Sequence, residues 1–158
     1  MDTVLSFVCT ALLYNKTMPV IKPNDILAGE TALHQWAQLA RTAADSITKA
    51  DDLLAISPQL PRRDMAMAVR YSLYMLQLRA PGPGVEVRVA PFAAVKILEG
   101  PKSDPHNLTP PDVIELDPDV WLRMACGITS WHQEKEAGHI SAVGERDDLS
   151  RLLPLPIN

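Results

Sequence analysis

The alternation Val85-Glu86-Val87-Arg88-Val89 constrains this chain more than any other feature. Three valines fall on one face and two charges on the other, the period-two mark of a strand with one buried and one wet side. Ala90-Pro91 interrupts it. A second run, Ala94 to Leu98, is again rich in β-branched residues, with Lys96 on its polar side. Pro91 cannot donate to a strand ladder, so it belongs to the connection or to a bulge. The stretch therefore predicts two antiparallel strands with a single dry face that must be covered, and helices before and after it are available to do so. A one-residue slip would put all three valines in water, so the register is strongly specified.

The strongest helix expectation runs from Arg62 to Arg79. Arg63, Arg70 and Gln77 recur every seven residues as a wet stripe, and Met65, Val69, Leu73 and Leu76 form a buried one. Met67, Tyr71, Tyr74, Met75 and Leu78 add further apolar surface, so this helix should be contacted from two sides. Pro81-Gly82-Pro83-Gly84 ends it and turns the chain into the strands. Upstream, Leu33, Trp36, Ala37 and Ala40 fit an amphipathic helix from about Asp25 to Ala44, with Asn24 as its cap and Gly29 a weak point in its first turn. Residues 45–55 either continue it or form a short second piece, before Ser57-Pro58 and Leu60-Pro61 stop it.

Downstream, Asp112 to Leu116 reads as a strand, and Asp117-Pro118 as the start of a helix carrying Val120, Trp121, Met124 and Ala125. Gly127 ends that helix. Ser130-Trp131-His132-Gln133 fits a capping box and a short helix closing at Gly138. Ile140 to Val143 is a further strand, and Asp147 or Asp148 caps a final helix with Leu149, Leu152 and Leu153. The expected fold class is α+β: a small, mostly antiparallel sheet of four to five strands covered on one face by helices. Residues 1–17 are expected to be a peripheral extension, or to lie outside the natural domain; 18–61 form a helical N-terminal segment, and 62–158 the α+β domain.

The chain has 19 acidic against 15 basic residues, a net charge of −4, which disfavours nucleic acid as a partner. Two cysteines, Cys9 and Cys126, give no disulfide framework and point to reduced, cytoplasmic thiols. The apolar run Val4 to Tyr14 lacks the positive flank and cleavage site of a secretion signal, and no run approaches a membrane span. His132 and His139, seven apart across a glycine, are not metal-ligand spacing, so neither metal nor cofactor is expected. Cys126 sits near a helix C-terminus, where the dipole works against a thiolate. Glu115, Asp117 and Asp119 resemble paired carboxylates, but capping and the macrodipole account for two of them. Gly82 and Gly84 are no phosphate loop, since no Lys-Ser/Thr follows.

From about Arg62 to Leu155 the sequence resembles the sterol carrier protein superfamily, in its small bacterial orthologue branch. The pieces that carry this are Val-Arg-Tyr-Ser-Leu-Tyr-Met-Leu (69–76), Val-Glu-Val-Arg-Val-Ala-Pro-Phe (85–92), Leu-Glu-Gly-Pro (98–101) and Thr-Pro-Pro (109–111). Asp117-Pro118, Trp121-Leu122, Ala125, Gly127, Trp131, Gly138, Gly144-Glu145-Arg146, Asp148-Leu149-Ser150 and Leu153-Pro154-Leu155 follow in order. The resemblance implies a sheet covered on one face by helices, with a hydrophobic tunnel between the layers for fatty-acyl or sterol-like ligands and no catalytic motif. Related domains are also appended to enzymes such as maleylpyruvate isomerase-like and acetyltransferase proteins.

Together these readings predict a non-enzymatic carrier of an apolar small molecule such as a lipid, without stable membrane insertion. The expected lining is Met65, Val69, Leu73, Leu76, Val87, Val89, Phe92, Trp121, Met124, Trp131 and Leu152. The methionines would let the pocket adapt, and the C-terminal helix would be the gate. Ten buried methylenes would supply roughly 8 kcal/mol before ordering costs, enough for micromolar binding. Two alternatives stand beside it. One is an interaction module with a closed core that supports a partner protein or enzyme or forms a homodimer. The other is an accessory domain of a thiol-dependent isomerase system, which requires an exposed Cys126.

Overall fold

The computed structural model describes residues 18–100, 112–144 and 146–157. The expectation for residues 1–17 and the Thr-Pro-Pro segment lie outside these. The described residues contain four α-helices: α1 (Ile26–Asp45), α2 (Arg62–Arg79), α3 (Pro118–Ala125) and α4 (Trp131–Glu136). They also contain four strands: β1 (Pro81–Val89), β2 (Ala93–Ile97), β3 (Asp112–Leu116) and β4 (Ile140–Val143). Short 3-10 turns lie at Pro23–Asp25, Ala50–Ala55 and Ser150–Leu152.

The strands form one sheet in the order β2-β1-β3-β4. Both outer pairings are antiparallel, whereas the central pair β1 and β3 is parallel, so the sheet is mixed. The valine alternation sits in the register expected of it. Val85, Val87 and Val89 have no exposed surface and face the helices, while Glu86 and Arg88 lie on the open face. There Arg88 Nε meets Glu86 Oε1 at 2.6 Å and its Nη1 meets Glu115 Oε1 at 2.9 Å. Strand β1 begins four residues before the alternation does, because Gly84 N–H donates to the Leu98 carbonyl and Leu98 N–H to that of Ala80. Gly82 takes φ +151°, and a Cβ there would overlap the Leu98 carbonyl, so the approach of the two backbones depends on glycine.

Helix α2 lies on the inner face of β1 and β2 and packs along α1 and α3, so it is covered from several sides. Gly29, a weak point by helix propensity, lies where α1 passes close to α2. A Cβ added there would lie 2.7 Å from Tyr71 Cβ, 2.8 Å from Ile21 Cδ1 and 3.2 Å from the Met67 carbonyl oxygen. Gly29→Ala should therefore lose about 1–3 kcal/mol despite alanine's better helix propensity, read as a lower urea midpoint. An increase in stability would show that the two helices separate freely.

Three local expectations are corrected. Asn24 does not cap α1: Pro23 starts a 3-10 turn, and α1 begins at Ile26 without a side-chain cap. Asp117 and Pro118 do open α3, but the Asp117 side chain makes no capping bond. The final helix is only the turn Ser150–Leu152. Pro154 and Pro156 supply no N–H to continue it, and Asp148 instead accepts from Ser150 N–H at 2.8 Å. That C-terminal segment is held by buried Leu149 and Leu155 and by Leu155 N–H donating to the Ala125 carbonyl at 2.9 Å. The capping box of α4 forms as read: Gln133 N–H to Ser130 Oγ at 3.1 Å, and Ser130 N–H to Gln133 Oε1 at 2.8 Å.

Candidate functional site

The eleven side chains expected to line a pocket do come together, in one apolar cluster between the helices and the sheet. Val69, Leu73, Leu76, Val87, Val89 and Trp121 are 0% exposed and Met124 1%. A surface that water cannot touch borders no water-sized gap, so at these residues the layers are in contact. Trp131 is buried at one end of the cluster, and Met65, Phe92 and Leu152 are half-buried at its margin. Phe92 lies beneath the Arg62 guanidinium, 5.8 Å from the ring centre. Trp121 donates its Nε1–H to Ser72 Oγ at 2.8 Å, which satisfies the one polar atom of a buried ring.

An open groove of about 580 Å³ lies elsewhere. Its apolar floor is Leu39 and Ala43 of α1, then Ile47, Ala55, Ile56 and Pro58; Asp52, Ser57 and Gln59 complete the lining. Leu39 is 44% exposed, large for a leucine beside a core. The far wall is fastened to α3 by two side-chain bonds. Ser57 Oγ donates to Asp119 Oδ2 at 2.7 Å, and Arg123 Nη1 donates to the Ile56 carbonyl at 2.9 Å. None of the residues nominated from sequence lines this groove. The available signal was the cluster of Ile56, Pro58 and Leu60 after a helix with Leu39 and Ala43 on one stripe, which reads equally well as a plain helix stop.

Sequence reasoning also missed a buried ionic cluster. Arg123 is 3% exposed and Glu134 0%. Arg123 Nε and Nη2 reach Glu134 Oε1 and Oε2 at 2.7 and 3.1 Å, a two-pronged pairing. Thr129 Oγ1–H donates to Oε1 at 2.7 Å, and His139 Nδ1 lies 2.6 Å from Oε2. An ionised carboxylate only accepts, so Nδ1 carries the hydrogen. Burial by itself pushes the Glu134 carboxyl up, but the hydrogen bonds from Arg123, Thr129 and His139 and the Arg123 charge together hold it below the usual carboxylate range. The signal in the sequence was Arg123 standing alone among Val120, Trp121, Leu122, Met124 and Ala125. Its partner could not be read from spacing.

Cys126 is buried, and desolvation pushes its thiol up to about 12, with the Arg41 charge pulling weakly the other way. At neutral pH it is a protonated thiol, which removes the thiol-dependent role. Glu115 is paired with Arg88 and Asp119 with Ser57, so the carboxylates of this stretch converge on no common point. Among the described residues no group of three His, Cys, Asp or Glu side chains could hold a metal ion, and no helix is long and apolar enough to cross a membrane.

A single mixed four-stranded sheet with helices packed on one face and an apolar seam between the layers places the protein in the sterol carrier-like α+β class. The family model described as bacterial SCP ortholog matches residues 61–155, more than half of the chain, and the protein belongs to that family. No curated protein matches it.

Proposed function

We propose that this protein binds an apolar molecule with an acyl-chain or sterol-like body and carries out no bond-making chemistry on it. The observation that carries the reading is the apolar groove beside Leu39, Ala43, Ile47 and Ile56; the family match over residues 61–155 supports an apolar ligand for the chain but does not extend to the groove. The groove is open to solvent, with a volume of about 580 Å³. Further support comes from the chemistry-bearing groups having structural work: Glu134 closes an ion pair, Asp119 fastens Ser57, and Cys126 is held as a thiol. The eleven nominated residues would take part as a second seat only if α2 lifted from β1 and β2.

The closed seam favours a second reading, an interaction module that needs no ligand. Two measurements separate them. Mass spectrometry of the natively purified protein should find a co-purifying apolar molecule, and a neutral, environment-sensitive apolar dye should bind saturably. Absence of both, with no saturation up to roughly 100 µM, would favour the interaction module.

A further inference from the structure

We infer that the groove at the end of α1 takes an apolar chain with an ammonium head and discriminates against carboxylate-headed chains; this rests on the groove being a ligand seat. The groove belongs to this chain's N-terminal segment: every lining residue falls between 39 and 59, before the family-matched region starts at 61. Its head-group preference is therefore a property separate from the shared module.

Most side-chain hydrogens at the groove are already committed to partners. Three of the lining residues carry polar side chains: Asp52, Ser57 and Gln59. The Ser57 hydroxyl hydrogen is given to Asp119 Oδ2 at 2.7 Å. The Gln59 Nε2 hydrogens are given to the Ser57 carbonyl at 3.0 Å and to Ser57 Oγ at 3.2 Å. The opposite amide orientation would set Gln59 Oε1 against two oxygens, the first of which only accepts, so the network fixes the orientation. Among the side chains, what remains for a ligand is the Asp52 carboxylate and Gln59 Oε1, both acceptors; the backbone N–H groups of Ser57 and Gln59 are the donors left uncommitted among the described residues. The Asp119 carboxylate stands behind Ser57, and its Oδ1 is buried with no hydrogen-bond partner among the described residues. None of the lining residues is basic.

A rim of acceptors with negative charge complements a head that only donates. An ammonium has three donors and no acceptor; a hydroxyl has one donor and matches in part; a carboxylate has no hydrogen to give and meets like charge. The floor of Leu39, Ala43, Ile47 and Ile56 takes the alkyl tail in each case.

The test is calorimetric titration of the full chain at low salt with decylammonium, decan-1-ol and decanoate, which share one tail. Decylammonium is expected to bind at least roughly tenfold more tightly than decanoate, with the alcohol between them. Asp52→Asn should reduce that ratio several-fold. Ala43→Trp, at an exposed helix position on the floor, should abolish binding of all three while leaving the circular dichroism spectrum unchanged. Decanoate binding as tightly as decylammonium would overturn the head-group inference and leave the groove standing as a ligand seat. Decylammonium binding unchanged in Ala43→Trp, or a ratio unchanged in Asp52→Asn, would place the ammonium elsewhere and overturn it. No binding by any of the three would overturn both the inference and the reading of the groove.

Discussion

Glu134→Ala should cost the native fold about 3–5 kcal/mol, because it strands a buried guanidinium. Arg123 is 3% exposed and keeps one bond to the Ile56 carbonyl, but it loses both contacts to carboxylate oxygen. Chemical denaturation reads the loss directly. Replacing both partners with apolar residues, Arg123→Met with Glu134→Leu, should cost far less than either deletion, since no uncompensated charge remains. If the double variant is as unstable as Glu134→Ala, the cluster acts through Thr129 and His139 and not through the ion pair.

The same pair gives the fold an acid limit. The folded-state Glu134 carboxyl is held below its unfolded value, so its contribution is fully present above the unfolded range near 4.3 and is lost as pH falls through the lower folded value. Wild type should therefore lose stability through that window. Glu134→Ala has no such proton to bind, so the gap between the two proteins should narrow on acidification. A gap constant with pH would show that the Glu134 carboxyl titrates alike in the folded and unfolded states, and a gap that widened on acidification would show that it is protonated in the native state.

Leu73→Ala should cost about 3–5 kcal/mol, the upper part of the range for leucine truncation. Leu73 is 0% exposed on α2, in the same buried cluster as the valines of β1, so its removal loses both the transfer energy and the contacts around the space left behind. The measurement bears on function as well as stability. In a closed seam the truncated variant is strongly destabilised, and an added apolar molecule can refill the hole. If the layers already parted around a ligand seat, Leu73 would have neighbours on one side only, and the loss would stay below roughly 2 kcal/mol. A small loss would thus move the seat from the groove to the seam.

Much of the fold was legible before the structure because the signals are local. Helix α2 ends where Pro81 and Gly82 stop it, β3 and β4 lie where the β-branched runs lie, and the capping box of α4 needs only four consecutive residues. The single dry face of β1 followed from five residues, since period two leaves no other register. Where local signals failed, longer contacts had intervened: Gly29 weakens an isolated helix and is required by Tyr71, forty-two positions later in the chain.

By itself, then, the sequence determined which faces are apolar, which family the chain resembles and that α2 must be covered on more than one side. The tertiary structure decided how those faces meet. The lining expected of a tunnel closes on itself because α2 lies directly on β1 and β2 and α3 packs against α2, which leaves Leu73, Val87 and Trp121 with no exposed surface. The strap 56–57 is bonded to α3 across more than sixty residues, which leaves Leu39, Ala43 and Ile56 facing an open groove. Amphipathic periodicity says which side of an element avoids water, but not which partner covers it or how completely, because that depends on contacts between residues far apart in the chain.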